Sequence, residues 1–212
     1  VSDITAPTAS NPATINVACY GSIPAANVSV VTDEADNCDP APAVTLLTDI
    51  PASPVCNGGP ITVSRVYRIT DCSGNSTTVT QTINVSDITA PTASNPATIN
   101  VACYGSIPAA NISVVTDEAD NCDAAPVVTL LTDIPAAPVC NGGPITVSRV
   151  YRITDCSGNS TTVTQTINVS DITAPTASNP ATINVACYGS IPAANISVVT
   201  DEADNCDAAP VV

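Results

Sequence analysis

No histidine, lysine, methionine, tryptophan or phenylalanine occurs in these 212 residues. The missing histidine and lysine remove the usual general bases, and a catalytic thiol has no base to activate it, so an enzyme is not expected. Only four cations, Arg65, Arg68, Arg149 and Arg152, stand against 19 carboxylates, a formal net charge of −15. A surface of that sign repels nucleic acid and anionic membranes. It leaves divalent cations as the natural small partners. No apolar run approaches the roughly 20 residues of a membrane helix, so no membrane insertion is expected.

What the chain does have suits β-structure. Hydrophobic residues make up 44% of it, nearly all Val, Ile, Leu and Ala, with Tyr20, Tyr67, Tyr104, Tyr151 and Tyr188 the only aromatics. Its mean hydropathy is above zero, which excludes a wholly disordered acidic tail. The segment Val1-Ser2-Asp3-Ile4-Thr5-Ala6-Pro7-Thr8 recurs at Val85 and Val169, a strict 84-residue period. The first two copies differ only at Val28/Ile112, Pro40/Ala124, Ala43/Val127 and Ser53/Ala137, and the third matches the second as far as Val212. Near-identical copies present one surface repeatedly, which suits an elongated rod or multivalent array better than a single active site. The expected modules are 1–84, 85–168 and an N-terminal half repeat at 169–212, a truncated view of a longer array.

Within a repeat, Thr78–Val85 alternates with period two, Val79, Ile83 and Val85 facing inward. Ile61–Thr70 alternates likewise, with Arg65 an awkward member of the inner face, and Asp71-Cys72-Ser73-Gly74-Asn75 between them reads as a hairpin turn. Further strands are expected at Thr14–Cys19, Val28–Thr32 and Val44–Asp49, separated by Pro-rich connections. Short strands without a helical period predict an all-β fold of tandem immunoglobulin-like sandwich modules.

Each full repeat carries four cysteines: Cys19, Cys38, Cys56 and Cys72, then Cys103, Cys122, Cys140 and Cys156. Successive cysteines of a repeat are too far apart for any CxxC, which argues against zinc and for disulfides formed in an oxidising compartment. Strand parity puts Cys19 and Cys56 at one end of a module and Cys38 and Cys72 at the other. The expected pairs are therefore Cys19–Cys56 and Cys38–Cys72, repeated as Cys103–Cys140 and Cys122–Cys156, with partners for Cys187 and Cys206 beyond Val212.

The loop Asp33-Glu34-Ala35-Asp36-Asn37-Cys38-Asp39 packs four carboxylates into seven residues. Parity brings it, in the second repeat, towards the junction residue Asp87. Two readings stay open. One is a calcium site drawn from Asp33, Glu34, Asp36, Asp87, Asp117, Glu118, Asp120, Asp171, Asp201, Glu202 and Asp204. The other is a set of Asx turns in which these side chains bond their own backbone.

Asp36-Asn37-Cys38, the run Val66–Asn75 and the junction Val85-Ser86-Asp87-Ile88-Thr89-Ala90-Pro91 together resemble the hyalin (HYR) repeat. The resemblance implies an immunoglobulin-like fold and looks most like the tandem arrays of very large secreted Bacteroidetes surface proteins, gliding-associated adhesins among them. It implies adhesion, or extension from a cell surface in an extracellular setting. The leading expectation is a structural stalk in which neighbouring repeats are the main partners. The alternatives are multivalent binding of surface or glycan by the repeats, and self-assembly of like chains into a filament by strand complementation.

Overall fold

The computed structural model describes residues 2–50, 56–134 and 141–212. Contacts divide the chain into two compact units. The first joins Val1–Ala93, Asp117–Val127 and Ile153–Thr161; the second joins Ser94–Thr116, Val128–Arg152 and Thr162–Val212. Unit one therefore contains the first repeat together with two loops of the second.

The first repeat forms β1 (Ile15–Val17), β2 (Ala43–Ile50), β3 (Ile61–Thr70) and β4 (Ser76–Val85), in the sheet order β1-β4-β3-β2. The second gives β5 (Ile99–Val101), β6 (Val127–Ile134), β7 (Ile145–Thr154) and β8 (Ser160–Val169), in the corresponding order β5-β8-β7-β6. Both sheets are mixed. β3 is antiparallel to β2 and β4, whereas β1 lies parallel to β4 with Ile15 opposite Ile83. That parallel strand is short, and after it Cys19 leads into a 3-10 turn at Tyr20–Ser22. Ahead of β1, the Asn11 side chain acts as acceptor for the Thr80 amide at 2.8 Å.

Alternation decides the core. Val63, Tyr67 and Ile69 of β3 and Val79, Ile83 and Val85 of β4 are buried, and the threonines between them face out or lie half-buried. Truncating a fully buried side chain such as Ile83 to Ala costs about 2–5 kcal/mol. Two polar residues share this inner face, and each is tied down. Arg65, 3% exposed, makes a two-pronged pair with Asp49 of the adjacent strand at 2.8 and 2.9 Å, which raises the affinity of the guanidinium for its proton. Gln81 donates to the Ala13 carbonyl at 3.1 Å. The awkward arginine of the sequence is thus a satisfied inner-face residue.

The layer opposite the sheet differs from the expected sandwich. Val28–Val30 is a 3-10 turn rather than a strand, started by the Asn27 side chain accepting from the Ser29 amide at 3.0 Å. Val31, Val30 and Ala9 nevertheless pack on Tyr67, Ile69 and Val79. Among the described residues, that layer shows pairing only at the isolated bridge Thr8–Ala35, repeated as Thr92–Ala119 and Thr176–Ala203. Local side-chain capping by Asn27 wins over the alternating apolar pattern there.

Candidate functional site at the repeat junction

In the first repeat, β1 and β4 both finish, and β3 starts, at one end: Val17 is level with Val85, and Ile61 pairs with Val85. Cys19 and Cys56 belong to this lower end. Cys38 and Cys72 flank the upper end, where Ala43 faces Thr70 and Thr70 faces Ser76. Parity therefore places the cysteines as the sequence suggested.

Pairing is another matter. Among the described residues, the disulfides are Cys19–Cys122 and Cys56–Cys156, both inside unit one, and Cys103–Cys206 inside unit two. Cys38, Cys72 and Cys187 are exposed thiols. The expected pairs within one repeat are not formed by Cys19, Cys38, Cys56, Cys72, Cys103, Cys122 or Cys156. Cys140 lies outside the described residues. Each bonded lower-end cysteine is joined to an upper-end cysteine of the next repeat, with Cα separations of 5.2, 5.7 and 5.2 Å.

The reason is the linker, which has no slack. Ser86 donates its amide to the Val17 carbonyl at 3.0 Å and Asp87 to the Gly58 carbonyl at 2.7 Å, so the chain stays fastened to the lower end of the first repeat as it leaves β4. Asp87 Oδ1 then accepts from the Thr89 amide at 2.9 Å, turning the chain towards the fully buried Pro91. Two upper loops of the second repeat are brought directly onto the lower end of the first. Asn57 donates to the Cys122 carbonyl at 2.9 Å, and Asn159 to the Asp87 carbonyl at 3.2 Å. Gly58 admits this approach: a Cβ there would lie 2.8 Å from Asp87 Cβ and collide with the Ser157 hydroxyl. Unit two reproduces the pattern, with Asp171 donating to the Gly142 carbonyl at 2.8 Å and Asn141 to the Cys206 carbonyl at 2.8 Å.

Among the described residues, three groups of side chains have ligand atoms within 4.8 Å of one another: Asp3, Asp36 and Asp71; Asp87, Asp120 and Asp155; and Asp171, Asp204 and Cys206. Of the sequence candidates, Asp36, Asp87, Asp120, Asp171 and Asp204 are in these groups; Asp33, Glu34, Asp117, Glu118, Asp201 and Glu202 are not. Asp33 and Asp201 are spent on Ser10 and Ser178, accepting from their amides at 3.0 and 3.1 Å, and bonds from the serine side chains first, then from these amides, hold both carboxyls below their ordinary value. Sequence reasoning misses Asp3, Asp71 and Asp155 as ligands, because the hairpin composition explains Asp71 and Asp155 as turn formers.

They are turn formers as well. Asp155 Oδ1 accepts from the Asn159 amide at 2.8 Å, and Gly158 has φ 94° in the same hairpin. Asp120 Oδ2 accepts from Cys122 and Asp123 at 2.9 Å each, while its Oδ1 is buried without a hydrogen-bond partner. Asp87 divides its oxygens in the same way: Oδ1 takes Thr89 and Asn121, and Oδ2 is buried and unpartnered. Burial works to raise the Asp87 carboxyl, but the bonds from Thr89 and Asn121 outweigh it and hold the group below its usual range. One oxygen of each fastens the fold, and the other is left over.

Residues 91–169 match the family model of the HYR-like domain with 4 cysteines. The second repeat is thus similar to a HYR-like domain over this stretch. Its four cysteines are Cys103, Cys122, Cys140 and Cys156, and the first repeat, four substitutions away, carries them at the equivalent places. No curated protein matches the chain. That similarity and the three disulfides among the described residues are consistent with an extracellular, adhesion-type domain. Among the described residues, no helix is long and apolar enough to cross a membrane.

Proposed function

We propose that these HYR-like repeats are tension-bearing stalk modules of a secreted cell-surface protein, holding a distal adhesive part away from the surface. The observation that carries the reading is the disulfide connectivity. A pull applied at residues 1 and 212 follows the chain to Cys19, crosses to Cys122, runs back to Cys103, crosses to Cys206 and continues to the end. That covalent path uses stretches of only 18, 19 and 6 peptide steps. At about 3.5 Å per residue it extends to about 150 Å, against about 740 Å for the reduced chain. Each further repeat linked in this manner adds only the short strut between its first two cysteines, in place of its whole length. A module whose fold fails under load then lengthens only slightly, and the polypeptide off this covalent path is shielded from force. Such a device serves a tether and gives nothing to catalysis.

Single-molecule stretching of the oxidised chain tests this. Extension should stop at about 150 Å and reach the full contour only after reduction. An oxidised chain that unravels to full contour sinks the tether reading. Glycan- or surface-binding by the isolated repeats would instead favour multivalent recognition.

A further inference from the structure

We infer that Asp87, Asp120 and Asp155 form a divalent-cation site of calcium type at the junction, and that Asp3, Asp36 and Asp71 form its duplicate at the upper end of the first repeat. Both groups lie within unit one. Three carboxylates with ligand atoms inside 4.8 Å repel one another strongly once out of water. Arg65 and Arg149 are engaged by Asp49 and Asp133 rather than by these carboxylates.

Acidity alone would not make a site. The independent observation is the unpartnered oxygen. Asp87 is 6% exposed, and its Oδ2 has no hydrogen-bond partner, nor has the buried Oδ1 of Asp120. The same two atoms are orphaned in the duplicate, Oδ2 of Asp3 and Oδ1 of Asp36. A buried polar atom left without a partner is costly, and the chain repeats that cost at equivalent positions. A cation bound to these oxygens removes both the orphaning and the repulsion.

The donors decide the class of ion. At the junction they are all oxygen, because Cys122 and Cys156 are consumed in disulfides, which excludes a thiolate site for a softer metal there. At the duplicate, Cys38 and Cys72 are free thiols, and the same ion is assigned from its three matching carboxylates. Calcium accepts six to eight oxygens in adaptable geometry, so carbonyls and water can complete three carboxylates; magnesium demands near-ideal octahedra. The third group has two carboxylates and a disulfide sulfur, and is the weaker candidate.

Calorimetric titration of calcium chloride into the oxidised full chain tests the assignment, with Asp120→Asn and Asp36→Asn as variants. Asparagine keeps the oxygen that accepts the loop amides and replaces only the orphaned one, so the turn survives. Two sites are expected, with Kd on the order of 10⁻⁴ M as in extracellular modules. Each variant should remove one site and the pair both, and each should melt higher than the parent in chelator because a repulsion has gone. The inference is overturned if calcium gives neither heat nor a melting shift at millimolar concentration. It is also overturned if the double variant binds like the parent, or if the variants melt lower in chelator, which would make the carboxylates purely structural. Magnesium binding as tightly as calcium would overturn the calcium preference.

Discussion

Asp33–Asp39 with Asp71–Asn75, and Asp117–Asp123 with Asp155–Asn159, are identical in sequence but differ in what they meet. At the junction, Cys122 is 6% exposed and bonded to Cys19, and Asp87 is sealed beneath Gly58, Asn121 and Asn159. At the upper end of the first repeat, Cys38 and Cys72 are exposed thiols and Asp3 is half-buried. Partial desolvation, followed by the charge of Asp3, holds the Cys38 thiol above its ordinary value. The carboxylate group itself is the same in both places. The acidic loop and its hairpin are therefore preformed within one repeat, whereas the staple requires a second repeat's lower end. Each upper end is a socket, and each lower end is a plug.

The comparison breaks most sharply at the cysteines. Replacing Cys19 and Cys122 together by Ser should lower unfolding stability by about 2–4 kcal/mol, less than a lone loop of this length would give because Cys56–Cys156 already spans the same region. Replacing Cys38 and Cys72 should change stability by less than about 0.5 kcal/mol. Urea unfolding under non-reducing conditions measures both. Alkylation of the native chain with peptide mapping should mark Cys38 and Cys72 and spare Cys122 and Cys156; protection of all four would restore pairing within a repeat.

Gly58→Ala comes next. Its methyl group would overlap Asp87 and Ser157, so a loss of about 1–3 kcal/mol is expected, with amide exchange speeding up at Asp87 and Cys122 but not at Asp36 and Cys38. Asn57→Ala should cost about 1 kcal/mol, since it strips the donor from the Cys122 carbonyl and the acceptor from the Gly21 amide. The smallest effect belongs to Asp33, well away from the junction carboxylates. Its carboxyl, held low by Ser10, stabilises the fold fully above the unfolded value near 3.8 and loses that contribution as pH falls through the lower folded value. Asp33→Asn should flatten that slight acid-side slope and lower neutral stability by the same small amount.

Much of this was legible from residues alone. Ile61–Thr70 is found with the bounds that alternation gave it, and the inner-face residues Val63, Tyr67, Ile69, Val79, Ile83 and Val85 are the buried ones. Those elements are dominated by one long period-two signal. Val28–Thr32 carries a similar signal over a shorter span, and there the Asn27 cap outweighs it. Strand parity already brought the acidic loop and the Asp155–Asn159 hairpin towards Asp87. Asp155 was readable there only as a turn residue, because its place beside Asp87 and Asp120 as a third carboxylate is a matter of side-chain position that chain direction does not give.

The sequence by itself determined the 84-residue period, the all-β class, the polarity of each repeat and hence the end at which every described cysteine lies. These follow from strand alternation and chain direction, which are local. Only the tertiary structure decided which cysteines meet. Two thiols at the same end of a repeat are equally admissible to a parity argument, but a bond needs Cα atoms within about 7 Å. That proximity is set by Ser86 and Asp87 staying fastened to Val17 and Gly58, and by a glycine small enough to let the next repeat's loops close over it.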